Sequence, residues 1–147
     1  MNINQIKLLM VYGLITLINS TMLFSQLTYS GKGDVISIRF LELEPDIDTT
    51  EFEKFALEEF NPAFDGTVPG LKEYIAKSDR GIDIGSYTLL MVFDSQIVRN
   101  TMIPNKRASE WFSKIVEDQN LWSTWNKLGK YVTDGSLSNY NDFVKLR

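Results

Sequence analysis

A proline–glycine pair near the middle of the chain, Pro69-Gly70, constrains the fold more than any other sequence feature. Proline fixes φ and glycine permits positive φ, so such a pair reverses the chain sharply. An acid-rich amphipathic helix precedes the pair, and a strand predicted at 71–77 follows it. We therefore expect the helix to fold back over the sheet to which that strand belongs.

The helix before this turn opens with a capping pattern. Asp48 is predicted to be the N-cap, and Glu51 lies three residues later, as in a capping box. Ile47 is placed to pack on Phe52 as a hydrophobic staple. Apolar residues then recur at helical spacing and are expected in the core; they are Phe52, Phe55, Ala56, Phe60 and Phe64. Pro62 is expected to kink the helix or to begin its last turn.

Four strands are predicted from alternating or continuous apolar runs. The first covers 35–43, and its alternation separates two sets of residues: Ile36, Ile38 and Phe40 on one face, and Val35, Ser37, Arg39, Leu41 and Leu43 on the other. The third strand, at 87–93, is apolar on both faces, which favours a central position in the sheet. It is expected to pair with the second strand through a hairpin loop, and a short strand at 140–146 ends the chain.

The segment between the last two strands is predicted to be mainly helical. A short helical turn is expected at 95–102, and 133–139 is expected to be a loop. From about Ala108 a helical stripe continues as one helix or as two joined near 118–120; it consists of Trp111, Phe112, Ile115, Val116, Gln119, Trp122, Trp125, Leu128 and Val132. Spacing of this kind favours the three tryptophans as core residues.

The element order is β-α-β-β-α-β, which predicts the α+β class. Right-handed crossovers place both helices on one face of a four-stranded antiparallel sheet, the ferredoxin-like arrangement. We expect the other face to carry Val35, Leu41 and Leu43. An apolar face of that size needs a cover.

Composition excludes several kinds of chemistry. The chain has no cysteine and no histidine, which excludes disulfides, thiolate nucleophiles, the usual zinc sites, His-ligated haem and imidazole triads. No cofactor is predicted. The formal net charge is −4 and there is no basic stripe, so nucleic acid is not an expected partner.

The first 25 residues have the pattern of a secretory signal. Lys7 precedes an apolar run at 8–18, and Ser25 is the expected cleavage residue. The run is short for a membrane span, although an uncleaved anchor is the alternative. The predicted organisation is a signal peptide at 1–25, a flexible segment at 26–34 and a single domain at 35–147. The mature chain is then expected in the periplasm or outside the cell, with no membrane association after cleavage.

The chain resembles the dimeric α/β-barrel superfamily, which includes antibiotic-biosynthesis-type monooxygenases and the NIPSNAP and EthD groups. The likeness lies in the pattern of four stretches: the strand Ile36 to Leu43, the helix ending Glu59-Phe60-Asn61-Pro62-Ala63-Phe64, the turn Pro69-Gly70-Leu71, and the strand Tyr87 to Phe93 followed by Asp94-Ser95. The resemblance implies a homodimer whose sheets pack face to face around a ligand. The haem-degrading branch relies on a histidine that is absent here, so haem degradation is not implied.

Four residues are candidate ligand contacts. Arg39 lies in mid-strand among apolar neighbours, where a guanidinium needs a carboxylate such as Glu73 or an anionic ligand. Tyr74 and Tyr87 lie on the neighbouring hairpin, and Arg99 follows the third strand. No metal site is predicted.

Three functions fit these observations. The first is an exported homodimer that binds a small, partly apolar molecule. The second is a cofactor-independent monooxygenase or isomerase in which Arg39 polarises a carbonyl and a carboxylate or tyrosine moves the proton. The third is a structural module whose apolar face binds another protein.

Overall fold

The computed structural model describes residues 35–145, so the predicted leader, the segment 26–34 and the last two residues lie outside the described residues. Its four strands are β1 (Val35–Leu41), β2 (Leu71–Lys77), β3 (Tyr87–Phe93) and β4 (Asn141–Val144). They form one antiparallel sheet in the order β2-β3-β1-β4. The predicted α+β class and the four-stranded antiparallel sheet are therefore confirmed, with β3 and β1 in the centre.

The helices lie between β1 and β2 and between β3 and β4, whereas β2 leads into β3 through a hairpin loop. Helix α1 comprises an α-helical piece Thr49–Phe55, a π-helical turn Ala56–Phe60 and a final piece Asn61–Phe64. Helix α2 (Gln96–Met102) and a 3₁₀ turn (Pro104–Lys106) follow β3. The remaining helices are α3 (Glu110–Asp118), α4 (Leu121–Leu128) and α5 (Asp134–Ser138). Within residues 35–145, no helix has both the length and the hydropathy needed to cross a membrane.

The turn at Pro69-Gly70 joins α1 to β2 as expected. Gly70 has φ +80°, and its carbonyl accepts a hydrogen bond from the Asp94 amide at 3.0 Å. A Cβ at this position would lie 3.0 Å from a methyl group of Val98, so glycine is favoured both by the backbone and by the packing. The turn thereby fixes the start of β2 beside the end of β3.

Asn61 ties helix α1 to β2, which is an edge strand. Its side-chain carbonyl accepts a hydrogen bond from the Ile75 amide at 2.7 Å, and its amide donates to the Ile75 carbonyl at 3.1 Å. A side chain thus satisfies backbone groups that an edge strand leaves unpaired.

The two faces of the sheet differ from the expectation. Val35, Ser37 and Leu41 of β1 are buried beneath the helices, whereas Phe40 is 61% exposed on the opposite, open face. The alternation was predicted correctly, but the assignment of Val35, Leu41 and Leu43 to the uncovered face was wrong. The register explains the outcome, because Val35 and Leu41 lie in line with the buried Phe93 and Tyr87 of β3.

The core lies between the inner sheet face and the helices. Its largest members come from α1, where Phe52 packs edge-on against Tyr87 and Phe60 packs against Phe64. Trp125 contacts the Phe60 ring, with 5.9 Å between ring centroids. Trp111 and Trp122 are 44% and 46% exposed, so the prediction that all three tryptophans are core residues was wrong.

The helical stripe breaks at Asn120, whose φ of +54° ends α3 and starts α4. The chain thus forms two helices here, one of the two arrangements predicted. Each helix turns its own apolar residues towards the core, which leaves Trp111 of α3 and Trp122 of α4 partly exposed.

Three local predictions also need correction. The first strand ends at Leu41, and Leu43 makes only an isolated bridge to Val132. The capping box does not close, because Asp48 accepts from the Thr50 amide while Glu51 accepts from the Tyr131 hydroxyl. The loop predicted at 133–139 contains helix α5, which packs against β1.

Candidate functional site

A cleft of about 390 Å³ opens between the inner sheet face and the segment formed by α2 and the 3₁₀ turn. Strand β1 contributes Arg39 to its wall, and α2 contributes Arg99. The 3₁₀ turn supplies Lys106, and Tyr140 and Asp142 come from the start of the last strand. The cleft therefore joins residues that lie more than a hundred positions apart in the sequence.

Arg39 is held in place by contacts around its guanidinium. Its Nε donates to the Leu137 carbonyl at 3.1 Å, and its Nη1 lies 3.3 Å from Ser37 Oγ and 3.0 Å from Met91 Sδ. The group also lies 4.8 Å from the centroid of the Tyr140 ring, within cation–π distance. Burial lowers the pKa of Arg39, and the charge of Glu73 is the largest effect opposing this. The contacts that hold the guanidinium are thus neutral groups.

Arg99 lines the same cleft as Arg39 and forms an ion pair with Asp142 through Nη1. Both side chains are mostly buried, with 26% and 18% of their surfaces exposed. The Nε of Arg99 is buried without a hydrogen-bond acceptor in the described part of the chain. A buried donor of this kind is costly, so Arg99 retains capacity for another acceptor.

Glu73 lies on the same inner face of the sheet, on the edge strand β2. In the sheet register it is beside Met91, which in turn is beside Ser37. Its side chain is fully buried, and among residues 35–145 neither carboxyl oxygen has a hydrogen-bond partner. Burial raises the pKa of Glu73 to about 8, with the charge of Arg39 acting in the opposite direction. The carboxyl is therefore mainly protonated at neutral pH.

The rim of the cleft contains two consecutive residues in the left-handed region. Asn105 has φ +51° and Lys106 has φ +64°. Neither is a glycine, and such conformations cost of order 1 kcal/mol or more each. The strained turn places both side chains at the cleft.

Two of the four predicted site residues lie elsewhere. Tyr74 projects from β2 on the open face of the sheet and is 38% exposed. Tyr87 is buried beside α1, where its hydroxyl donates to Glu53 at 2.6 Å. The structure thus brings Arg39 and Arg99 together in one cleft but not the two tyrosines, whose part in ligand binding stays a prediction.

The sequence reasoning missed Lys106, Tyr140, Asp142 and Glu73 as members of this region. Glu73 was considered only as a salt-bridge partner of Arg39, and the salt bridges among residues 35–145 do not include that pair. The strict alternation of β2 carried a usable signal, because it aligns Glu73 with the buried Leu71 and Ile75. No comparable sequence pattern marks the other three residues.

Within the described part of the chain, no group of three or more acidic side chains is arranged to hold a metal ion. Comparisons with protein-family models, with curated proteins and with solved structures find no match to this chain.

Proposed function

We propose that this protein binds a small, partly apolar molecule in the cleft between Arg39 and Arg99. The observation that carries the proposal is the convergence of two mostly buried guanidinium groups on one opening. Apolar surface is supplied by Phe93, Ile103 and the Tyr140 ring. A volume of about 390 Å³ lies in the range of small-molecule sites, which combine apolar walls with a few polar groups.

A steric variant tests this proposal without disturbing the core. Asn100 is exposed and lines the cleft, whereas its neighbour Thr101 is exposed on α2 outside the cleft lining. We expect Asn100→Trp to abolish binding of small aromatic acids, amides and alcohols in ligand-observed NMR, while Thr101→Trp retains it. Equal binding to both variants, or no binding of any of these probes to the unmodified chain, would contradict the proposal.

We further propose that the protein is a homodimer paired through its open sheet face. That face exposes Ile36, Phe40 and Phe143, at 38%, 61% and 55%. Among its strand residues only Lys72 is charged, so a second copy meets little charge repulsion there. Apolar surface of this extent on a sheet is typical of an interaction surface. A different protein on the same face is the alternative, and a strictly monomeric chain in solution would favour it.

The strand order β2-β3-β1-β4 with helices between the strands supports a ferredoxin-like arrangement and, for the dimer, the α/β-barrel assembly implied by the resemblance. Export rests on the sequence of residues 1–25. N-terminal sequencing of protein recovered outside the cytoplasm tests it, and a retained Met1 would contradict cleavage.

An enzyme is the second candidate, and Glu73 is the observation that favours it. A buried carboxyl with a pKa of about 8 holds and releases a proton near neutral pH, as a general acid or base does. Glu73 is not part of the cleft lining, so binding is the function that the geometry supports best. The enzymatic candidate predicts that Glu73→Gln removes turnover while ligand binding persists.

A further inference from the structure

The charges around the cleft do not balance. Its lining contains three cationic side chains, Arg39, Arg99 and Lys106, and one carboxylate, Asp142. Glu73 lies behind the cleft and is mainly neutral at neutral pH. The cleft is therefore a local region of positive charge on a chain whose formal net charge is −4. A positive region of this kind attracts anions and raises their local concentration.

Among the residues that the structure describes, several donor groups at the cleft also lack an anionic partner. No carboxylate of residues 35–145 lies within ion-pair distance of Lys106. Within the same described residues, the Arg99 Nε is buried without an acceptor, and the groups that accept hydrogen bonds from Arg39 are neutral. Charge-assisted hydrogen bonds to an oxyanion are about twice as strong as neutral ones. An anionic ligand oxygen is therefore bound more strongly by these donors than an uncharged oxygen.

The rest of the lining favours an anion with an apolar body. Phe93, Ile103 and the Tyr140 ring lie beside the cationic groups. A phosphate presents several strongly hydrated oxygens that these apolar side chains cannot satisfy. A carboxylate presents two oxygens at one end, and an attached ring or chain can contact the apolar wall.

From this arrangement we propose that the ligand of the cleft is a carboxylic acid with an aromatic or aliphatic body, its carboxylate held by Arg39, Arg99 and Lys106. This inference rests on the proposed binding function, since it names the ligand class of the same cleft.

The experiment compares a carboxylate with its uncharged amide and with an oxyanion that has no apolar body. Benzoate, benzamide and inorganic phosphate are titrated separately into the full chain by NMR at low ionic strength, in a buffer without other carboxylates. Benzoate is expected to bind about tenfold more tightly than benzamide and than phosphate. Lys106→Met should weaken benzoate about fivefold, because one exposed charge is lost. Lys130→Met, an exposed lysine outside the cleft lining, is the matched control and should change nothing.

Each other outcome overturns the inference in a distinct way. Benzamide and benzoate could bind equally, with both lost in Asn100→Trp. This result would support the binding function but refute the proposal that the ligand is a carboxylic acid. Phosphate binding more tightly than benzoate would assign a different oxyanion. Benzoate affinity equal in Lys106→Met and Lys130→Met would remove Lys106 from the site. If none of the probes binds, the function and the inference both fail.

Discussion

Each face of the sheet carries a few residues of the kind usually found on the other face. The inner face, covered by helices, contains Glu73 and Arg39, whereas the open face presents Phe40 and Phe143 to solvent. Buried charge is costly unless paired, and exposed apolar surface is costly unless covered. The comparison motivates the two proposed roles, which are ligand binding in the cleft at the inner face and association with a second copy through the open face.

The two roles depend on different strand positions, so substitutions separate them. A change at Phe40 should affect assembly without changing the cleft, and a change at Glu73 should affect the inner face without changing assembly. This independence is expected because the side chains of adjacent strand residues point to opposite sides.

The largest expected effect is on the open face. Phe40→Glu places a charge in the centre of the proposed dimer interface and should weaken dimerisation at least about a hundredfold. The folded monomer should persist, because Phe40 is 61% exposed. Sedimentation equilibrium measures the change. Ile82→Glu is the matched control, since Ile82 is 99% exposed in the hairpin loop and should leave the dimer intact. Loss of the dimer in both variants, or in neither, would contradict the assignment of the interface.

On the inner face, Glu73→Gln should change how stability depends on pH. The pKa of Glu73 is about 8 in the folded chain, against an ordinary value of 4.5 for an exposed glutamate. Below pH 4.5 both states hold the proton, so the residue adds no pH dependence there. Between pH 4.5 and 8 the unfolded state releases the proton first, and the free energy of unfolding falls by roughly 1 kcal/mol per pH unit.

Glu73→Gln removes the titrating carboxyl, so the variant should become progressively more stable than the unmodified chain as pH rises to 8. Denaturant unfolding at several pH values measures the difference. Glu58→Gln removes an exposed acid and should give a curve parallel to the original. A curve for Glu73→Gln that is also parallel would mean that Glu73 titrates normally.

Asp142→Asn is expected to change stability and benzoate binding in opposite directions, which tests the account of the cleft. It removes the ion-pair partner of Arg99, which should cost about 1–2 kcal/mol of stability because the pair is mostly buried. It also removes the one carboxylate of the lining, so benzoate affinity should rise about threefold. Asp118→Asn breaks an exposed ion pair with Lys114 and should cost less than about 0.5 kcal/mol. Weaker benzoate binding in Asp142→Asn would show that Asp142 positions the ligand instead of competing with it.

The smallest effects are expected at the two tyrosines. Tyr87→Phe loses the hydrogen bond to Glu53 and should cost about 1 kcal/mol of stability, with benzoate affinity unchanged. Tyr74→Phe should change neither quantity, because its hydroxyl lies on the open face. Calorimetry of unfolding and the benzoate titration check both variants. A loss of benzoate affinity in either variant would show that the substituted tyrosine takes part in ligand binding.

The sequence predicted much of the architecture because local patterns determine it. Alternation defined the two residue sets of β1, and Pro69-Gly70 defined the turn into β2. Alternation alone does not show which set faces the helices, since both sets of β1 contain large apolar residues; the register with β3 decides it. Similarly, the stripe was compatible with one helix or with two joined near 118–120, and it did not decide between them, so the exposure of Trp111 and Trp122 was missed.

The candidate site was only half predictable. Arg39 was identified because a charged residue among apolar strand neighbours needs a partner, and Arg99 because it follows the third strand. Lys106 reaches the cleft through a 3₁₀ turn with positive φ, and Tyr140 and Asp142 reach it through the pairing of β4 with β1. Apolar spacing does not predict the conformation of such a turn, and the pairing of β4 with β1 depends on contacts between residues distant in sequence.

The most direct test of the central claim is the response of the arginine Nε–H resonances to benzoate. Arg39 and Arg99 line the cleft, whereas Arg80 and Arg107 lie outside its lining and serve as internal references. The account predicts saturable shifts for Arg39 and Arg99 with the two reference signals unchanged. Stationary signals from Arg39 and Arg99, while other resonances of the chain shift on benzoate addition, would contradict it.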